Sequence, residues 1–191
     1  MNNLSDYVKV YDDVLSPEIC NKLMKSFDQL TPIHTPYMRK SEYEWDTDYR
    51  SFLELDISQQ QEFKEFIPDY YARVRQVYDH YKSVTPSTYL PHKFGFEDAR
   101  LKKYEANEYD QFGWHSDVGD YPSARRYLVM FTYLNDVDEG GETEFESEFE
   151  FTVKPKQGRM VVFPPMWMFP HRGRQPISGP KYILSTYLHY V

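Results

Sequence analysis

Arg126-Tyr-Leu-Val-Met-Phe-Thr-Tyr133-Leu134 and Arg159-Met-Val-Val-Phe163 are short β-branched and aromatic runs, and the turn-led Gly140-Gly-Glu-Thr-Glu-Phe145 lies between them. The breaks fall at Asp136–Gly141, Pro155–Gly158 and Pro164-Pro165. Runs of this length, bounded by Gly, Pro and Asp, read as strands. The same punctuation predicts strands over 99–104, 111–115, 126–134, 142–145, 149–153, 159–163, 167–171 and 181–190. So many short strands in sequence predict a mainly β fold, a double-stranded β-helix or jelly roll.

Upstream of residue 99 the pattern changes. Ser16-Pro17-Glu18 offers an N-cap, a proline at the first helical position and an acid in the first turn. Ile19, Leu23, Phe27 and Leu30 then share one face, so a helix is expected over 17–30. Ser58-Gln-Gln-Gln61 has the spacing of a capping box, and an apolar stripe from Phe63 to Tyr81 follows a helical period. Pro68 interrupts that stripe and predicts a kink or a fresh start. Residues 7–15 alternate weakly and read as a short strand. The Tyr-rich segment 34–50 has no clear period and reads as a lid or an exposed loop. The expected arrangement is one domain over 1–191: helices packed on one sheet in a supporting region, 1–98, and a jelly-roll core with the metal site at 99–191.

Composition narrows the function classes. Aromatic residues make up 18% of the 191 positions, which suits strands. Net charge is −8 and no basic run stands out, which argues against a broad nucleic-acid surface. The acidic run 142–150 reads as a solvated hairpin. Cys20 is the only cysteine, so no intrachain disulfide can form and a reducing, cytoplasmic setting is expected. Neither a signal peptide nor an apolar stretch of membrane-spanning length is visible, so no membrane partner is expected.

His115, Asp117 and His171 carry the chemistry. Two imidazoles and one carboxylate can occupy one face of an octahedral metal and leave the opposite face open, the ligand set of non-haem Fe(II) oxygenases. A 2-oxo acid needs two of the open positions and O2 a third. Lys181, ten residues beyond His171, is a cation that can hold the far carboxylate of a dicarboxylate co-substrate. The set requires residues 111–115 and 167–171 to pair. Six histidines make any single match easy to reach by chance, so the surrounding motifs matter.

Those motifs resemble the prolyl 4-hydroxylase-like branch of the Fe(II)/2-oxoglutarate dioxygenases, over about residues 99–190. Leu101-Lys-Lys-Tyr104 leads toward His-x-Asp; Arg126 through Asp136 ends in Tyr-Leu-Asn; Gly140-Gly-Glu-Thr143-Glu-Phe145 matches a Gly-Gly-Glu-Thr-x-Phe turn. Val153 through Phe163 matches the strand before the second His, and His171 through Lys181 matches the His-to-Lys spacing. The resemblance implies Fe(II) on His115, Asp117 and His171, and 2-oxoglutarate held by Lys181. It also implies a hydroxyl from Tyr133 on the same carboxylate and Tyr104 near the metal-facing end. Asn107 and Phe112 depart from the family's Gly and Tyr. O2 is the oxidant and ascorbate an accessory reductant compatible with the class. The implied substrate is a peptide or protein, by resemblance a peptidyl proline. A small molecule, an alkylated nucleic acid and a non-catalytic jelly-roll module are the competing readings. Halogenases of this type lack the carboxylate, so Asp117 favours hydroxylation. Trp114 and Trp167 read as pocket lining or core; Arg125, Arg126, Arg172 and Arg174 read as solvated or substrate-facing.

Overall fold

A computed structural model describes residues 3–30, 33–37 (backbone only), 50–87, 89–146 and 151–191. In chain order the elements are β1 (Lys9–Tyr11), α1 (Pro17–Gln29), β2 (Ile33–Tyr37), β3 (Arg50–Asp56), α2 (Phe66–Val84), β4 (Gly95–Phe96) and β5 (Arg100–Tyr104). There follow β6 (Gln111–His115), β7 (Arg126–Tyr133), β8 (Thr143–Phe145), β9 (Phe151–Val153), β10 (Met160–Phe163), β11 (His171–Gly173) and β12 (Lys181–His189). Of the expected lid over 34–50, residues 38–49 lie outside the described residues, as do 147–150 of the acidic run.

The described strands form one curled antiparallel sheet in the order β1-β10-β7-β12-β5-β3-β6-β11-β8-β9, with β2 on β3 and β4 on β12. Side chains alternate across it. Leu128, Met130, Met160, Val162, Leu184 and Leu188 face the helices and form one core with Cys20, Leu23 and Phe27 of α1 and Tyr70, Val74, Tyr78 and Tyr81 of α2. Val129, Phe131 and Tyr133 of β7 and Val161 and Phe163 of β10 point the other way. They meet Phe145 and Val153 across the curl in a second core. That is the expected jelly roll, with helices on one face and the interior on the other.

Local chemistry sets the element ends. The Ser16 Oγ accepts the Ile19 amide at 3.4 Å and Pro17 occupies the first helical turn of α1. Pro68 does not kink α2; the helix starts at Phe66, so the missing amide falls in the first turn, where none is needed. The capping box at Ser58 does not form. Ser58 Oγ accepts the Ala99 amide at 2.7 Å instead, and residues 57–63 make short 3-10 turns. The strand expected at 167–171 begins only at His171. Phe169 closes a turn by donating to the Met166 carbonyl at 2.8 Å, between prolines that cannot feed a ladder.

Gly140 and Gly141 shape the turn into β8, with φ of +76° and +75°. A Cβ on Gly140 would stand 2.3 Å from the Gln175 carbonyl oxygen. Gly140→Ala should therefore destabilise the fold by about 2–4 kcal/mol, from left-handed strain plus a backbone clash. Thermal unfolding should show a fall of roughly 5–10 °C.

Candidate active site

His115 ends β6, Asp117 lies two residues on, and His171 opens β11. The β6–β11 ladder sets His171 opposite His115. The pairing required by the ligand set is thus present, and one donor atom from each of the three residues lies within 4.8 Å of the others. His115 Nε2 stands 3.5 Å from one Asp117 oxygen and His171 Nε2 3.6 Å from the other. The opposite ring nitrogens face carbonyls, His115 Nδ1 at 2.8 Å from Gly113 O and His171 Nδ1 at 3.0 Å from Phe169 O. A carbonyl can only accept, so each Nδ1 carries the proton and each Nε2 keeps its lone pair for the centre. Burial, with His115 adding to it, lowers the His171 pKa to about 4 against the pull of Asp117, so the ring is neutral near pH 7. Burial alone would raise Asp117. The two imidazoles and the Tyr187 hydroxyl outweigh it and hold the carboxyl well below its usual range. A neutral His171 imidazole and an ionised carboxylate, with His115 Nε2 facing the same point, make a donor set ready for a divalent cation.

Asp117 is held from behind by Tyr187, which no sequence pattern singles out, and by Arg126, which is ion-paired here rather than solvated. Tyr187 Oη donates to Asp117 Oδ1 at 2.9 Å, and Arg126 Nη1 donates to the Asp117 carbonyl at 3.3 Å. The Arg126 guanidinium lies 4.0 Å over the Tyr187 ring and forks onto Glu97 at 2.9 and 2.8 Å. Burial and the Asp117 charge push the Tyr187 pKa well up, so its hydroxyl stays a donor. Tyr187→Phe keeps the ring and removes the hydroxyl. It should weaken Mn(II) binding about tenfold with the fold unchanged, read by spectroscopic titration of the metal.

Lys181 is 2% exposed and forms no ion pair among the described residues. Its Nζ donates to the Gly141 and Arg174 carbonyls, both at 3.0 Å, and sits 4.5 Å from the Tyr104 ring, directly across the β5–β12 register. Burial drives its pKa down to about 7, with only Glu142 opposing. A narrow inner cavity runs from Lys181 to the triad, walled by Val129, Phe131 and Ile183 and reached by Tyr104, Tyr133, Thr143 and Lys102. The Tyr133 and Thr143 hydroxyls are paired at 2.6 Å inside it. All six residues expected at the site thus share one cavity, and Thr143, Tyr187 and Lys102 join them.

A wider groove of about 810 Å³ opens beside His115 and Asp117. Arg125 and Arg126 line it, whereas Arg172 and Arg174 pair with Glu144 at 2.6 and 3.2 Å. Trp114 lies against the Arg172 guanidinium at 4.8 Å and Trp167 is 76% exposed; neither belongs to the buried core, and neither lines the inner cavity or the groove.

Residues 99–189 match the family model described as the 2OG-Fe(II) oxygenase superfamily, a span that contains the whole triad and Lys181. Over those residues the chain is similar to this superfamily. A probable prolyl 4-hydroxylase of Arabidopsis thaliana is 32% identical over 116 residues, covering 56% of this chain; the chain spans only 39% of that relative. The fold is shared with the viral collagen prolyl hydroxylase of Paramecium Bursaria Chlorella virus-1 in its 2OG complex: TM-score 0.72 and 22% identity, over 97% of both chains. It is shared too with a Trichoplax adhaerens prolyl hydroxylase in complex with a hypoxia inducible factor peptide fragment. There the TM-score is 0.73 at 14% identity, over 97% of this chain and 84% of that one. The superfamily takes Fe(II) and 2-oxoglutarate. The donor set of His115, Asp117 and His171 suits the metal, and a buried ammonium without a carboxylate suits the dianion. No helix among the described residues is long and apolar enough to cross a membrane.

Proposed function

We propose that this chain is one oxygenase domain that couples oxidation of 2-oxoglutarate to hydroxylation of an unactivated C–H bond, with a peptidyl proline as the favoured substrate. In the balanced reaction 2-oxoglutarate, O2 and R–H give succinate, CO2 and R–OH; one oxygen atom enters succinate and the other the new hydroxyl. The observation that carries this reading is one cavity with two imidazoles and a carboxylate at one end and, at the other, a buried lysine that forms no ion pair among the described residues.

His115, Asp117 and His171 would hold Fe(II), which when bound supplies the electrons that activate O2. Lys181 donates to the far carboxylate of 2-oxoglutarate, beside the Tyr133–Thr143 hydroxyl pair. Val129, Phe131 and Ile183 give the space between apolar walls. Tyr187 holds one oxygen of Asp117, which would leave the other available to the ion.

The groove supports a peptide over a small molecule. It is wide and lined mostly by polar and charged side chains, among them the pairs Glu54 with Arg100 at 3.0 Å and Glu97 with Arg126 at 2.8 Å. Small-molecule pockets are mostly enclosed and apolar. The prolyl hydroxylase names of the relatives point the same way. Wild-type protein with Fe(II), 2-oxoglutarate and proline-containing peptides should release succinate in step with a 16-dalton gain on the peptide. Absence of both products across a panel of peptides, nucleic acids and small molecules would overturn the enzymatic reading.

A further inference from the structure

Lys102 has no role in the site as described so far. It projects from β5 on the same face as Tyr104, two residues away, and lines both the inner cavity and the open groove, at their junction beside His115 and Asp117. Its side chain is 12% exposed. The ammonium carries three donors. Among the described residues its one carboxylate partner is Glu54, at 3.5 Å, longer than a charge-assisted hydrogen bond. Glu54 is already engaged by Arg100 at 3.0 Å. The ammonium also faces two rings, Phe52 at 5.0 Å and Phe112 at 6.0 Å, and lies within the field of the Asp117 carboxylate. Lys102 is therefore a largely buried cation with donors to spare.

Its placement relative to Lys181 supplies the second observation. Tyr104 pairs with Lys181, and Lys102 pairs with Ile183. Lys102 thus stands two residues along the ladder from the Lys181 level, about 7 Å, on the same face. One cavity holds both ammoniums, one remote from the triad and one beside it. Two cations so spaced suit a short α,ω-dicarboxylate lying between them.

Given the co-substrate reading above, on which this rests, we propose that Lys102 is a second anion-contact residue of the inner cavity. It grips the metal-facing carboxylate of a 2-oxo dicarboxylate while Lys181 holds the far one. The two lysines then read different ends of one ligand. Lys181 distinguishes a dicarboxylate from a monocarboxylate; Lys102 contributes to any 2-oxo acid. The competing role is structural, with Lys102 serving only to neutralise Glu54.

Calorimetric titration of the Mn(II)-loaded full chain separates these roles, with 2-oxoglutarate and with 2-oxopentanoate, which lacks only the far carboxylate. Lys102→Met should weaken both ligands by about tenfold or more, with Mn(II) affinity no lower than wild type. Lys181→Met should weaken 2-oxoglutarate alone. Lys102→Met combined with Glu54→Gln should stay weak. The proposal is overturned if Lys102→Met binds 2-oxoglutarate within about twofold of wild type, or if Glu54→Gln restores the loss. Lys102→Gln serves for the same comparison should the Met variant fail to unfold cooperatively. A wild type that binds Mn(II) but not 2-oxoglutarate overturns the co-substrate reading itself, a result distinct from the loss of Lys102's role alone.

Discussion

His171→Ala is expected to reduce succinate release to the no-enzyme background and to weaken Mn(II) binding by on the order of 100-fold or more. Partners that merely orient a metal ligand cost roughly 10–100-fold when removed, so loss of a direct ligand should reach at least the upper end. Two ligands, His115 and Asp117, remain, and they come from a single turn. The fold should survive. His171 is buried but neutral, and its ring is one member of an aromatic group with Phe163 at 4.8 Å and Phe145 at 5.9 Å. Its loss should cost about 1–3 kcal/mol of stability. Metal titration beside circular dichroism would distinguish a lost ligand from a lost fold. Stoichiometric Mn(II) binding at wild-type affinity by a folded His171→Ala protein would remove the metal centre from this account.

Lys181→Met should act on stability and on co-substrate binding with opposite signs. Burial holds the folded-state pKa at about 7, against 10.5 for an ordinary lysine. Between those values the unfolded chain binds more protons than the native one, so wild-type stability rises with pH across the window. Below pH 7 the ammonium is present in both states and its desolvation cost is complete. Methionine removes that cost but leaves the Gly141 and Arg174 carbonyls without their donor. The variant should gain about 1 kcal/mol at pH 6 and lose that advantage by pH 9. Affinity for 2-oxoglutarate should fall at least 100-fold near pH 6. Wild-type affinity should itself decline above pH 7, because the dianion needs the protonated lysine; the variant should show a shallower slope, with Lys102 the remaining lysine at the site. Thermal unfolding and calorimetry at three pH values would check both halves.

The jelly roll was legible because β7 and β10 are short apolar runs between unmistakable turn residues. Their alternation later sorted Val129 and Phe131 to the interior and Leu128 and Met130 to the helices. β3 was not legible. Its inward positions are Phe52 and the ion-paired Glu54, so no clean apolar alternation marks a strand that lies between β5 and β6. The start of β11 was misplaced by four residues because Trp167, Met168 and Phe169 look strand-like while the flanking prolines enforce a turn.

The site followed a similar division. His115, Asp117, His171 and Lys181 stand in characteristic spacings, and the sheet register brings them together. Tyr187 and Lys102 announce nothing by spacing. Each becomes visible only when alternation along β12 and β5 is combined with the pairing that places 181, 183, 185 and 187 on the face shared with 102 and 104. Thr143 sat within a recognised turn motif, yet its place beside Tyr133 depends on the curl that carries β8 over β7.

The most direct test of the metal and co-substrate site is a crystal structure of the wild-type chain grown with Mn(II) and a non-reacting 2-oxoglutarate analogue. The account predicts an anomalous manganese peak bonded to His115 Nε2, Asp117 and His171 Nε2, with the analogue chelating the ion and its far carboxylate on Lys181. Manganese bound elsewhere, or an analogue whose far carboxylate leaves Lys181 untouched, would contradict it.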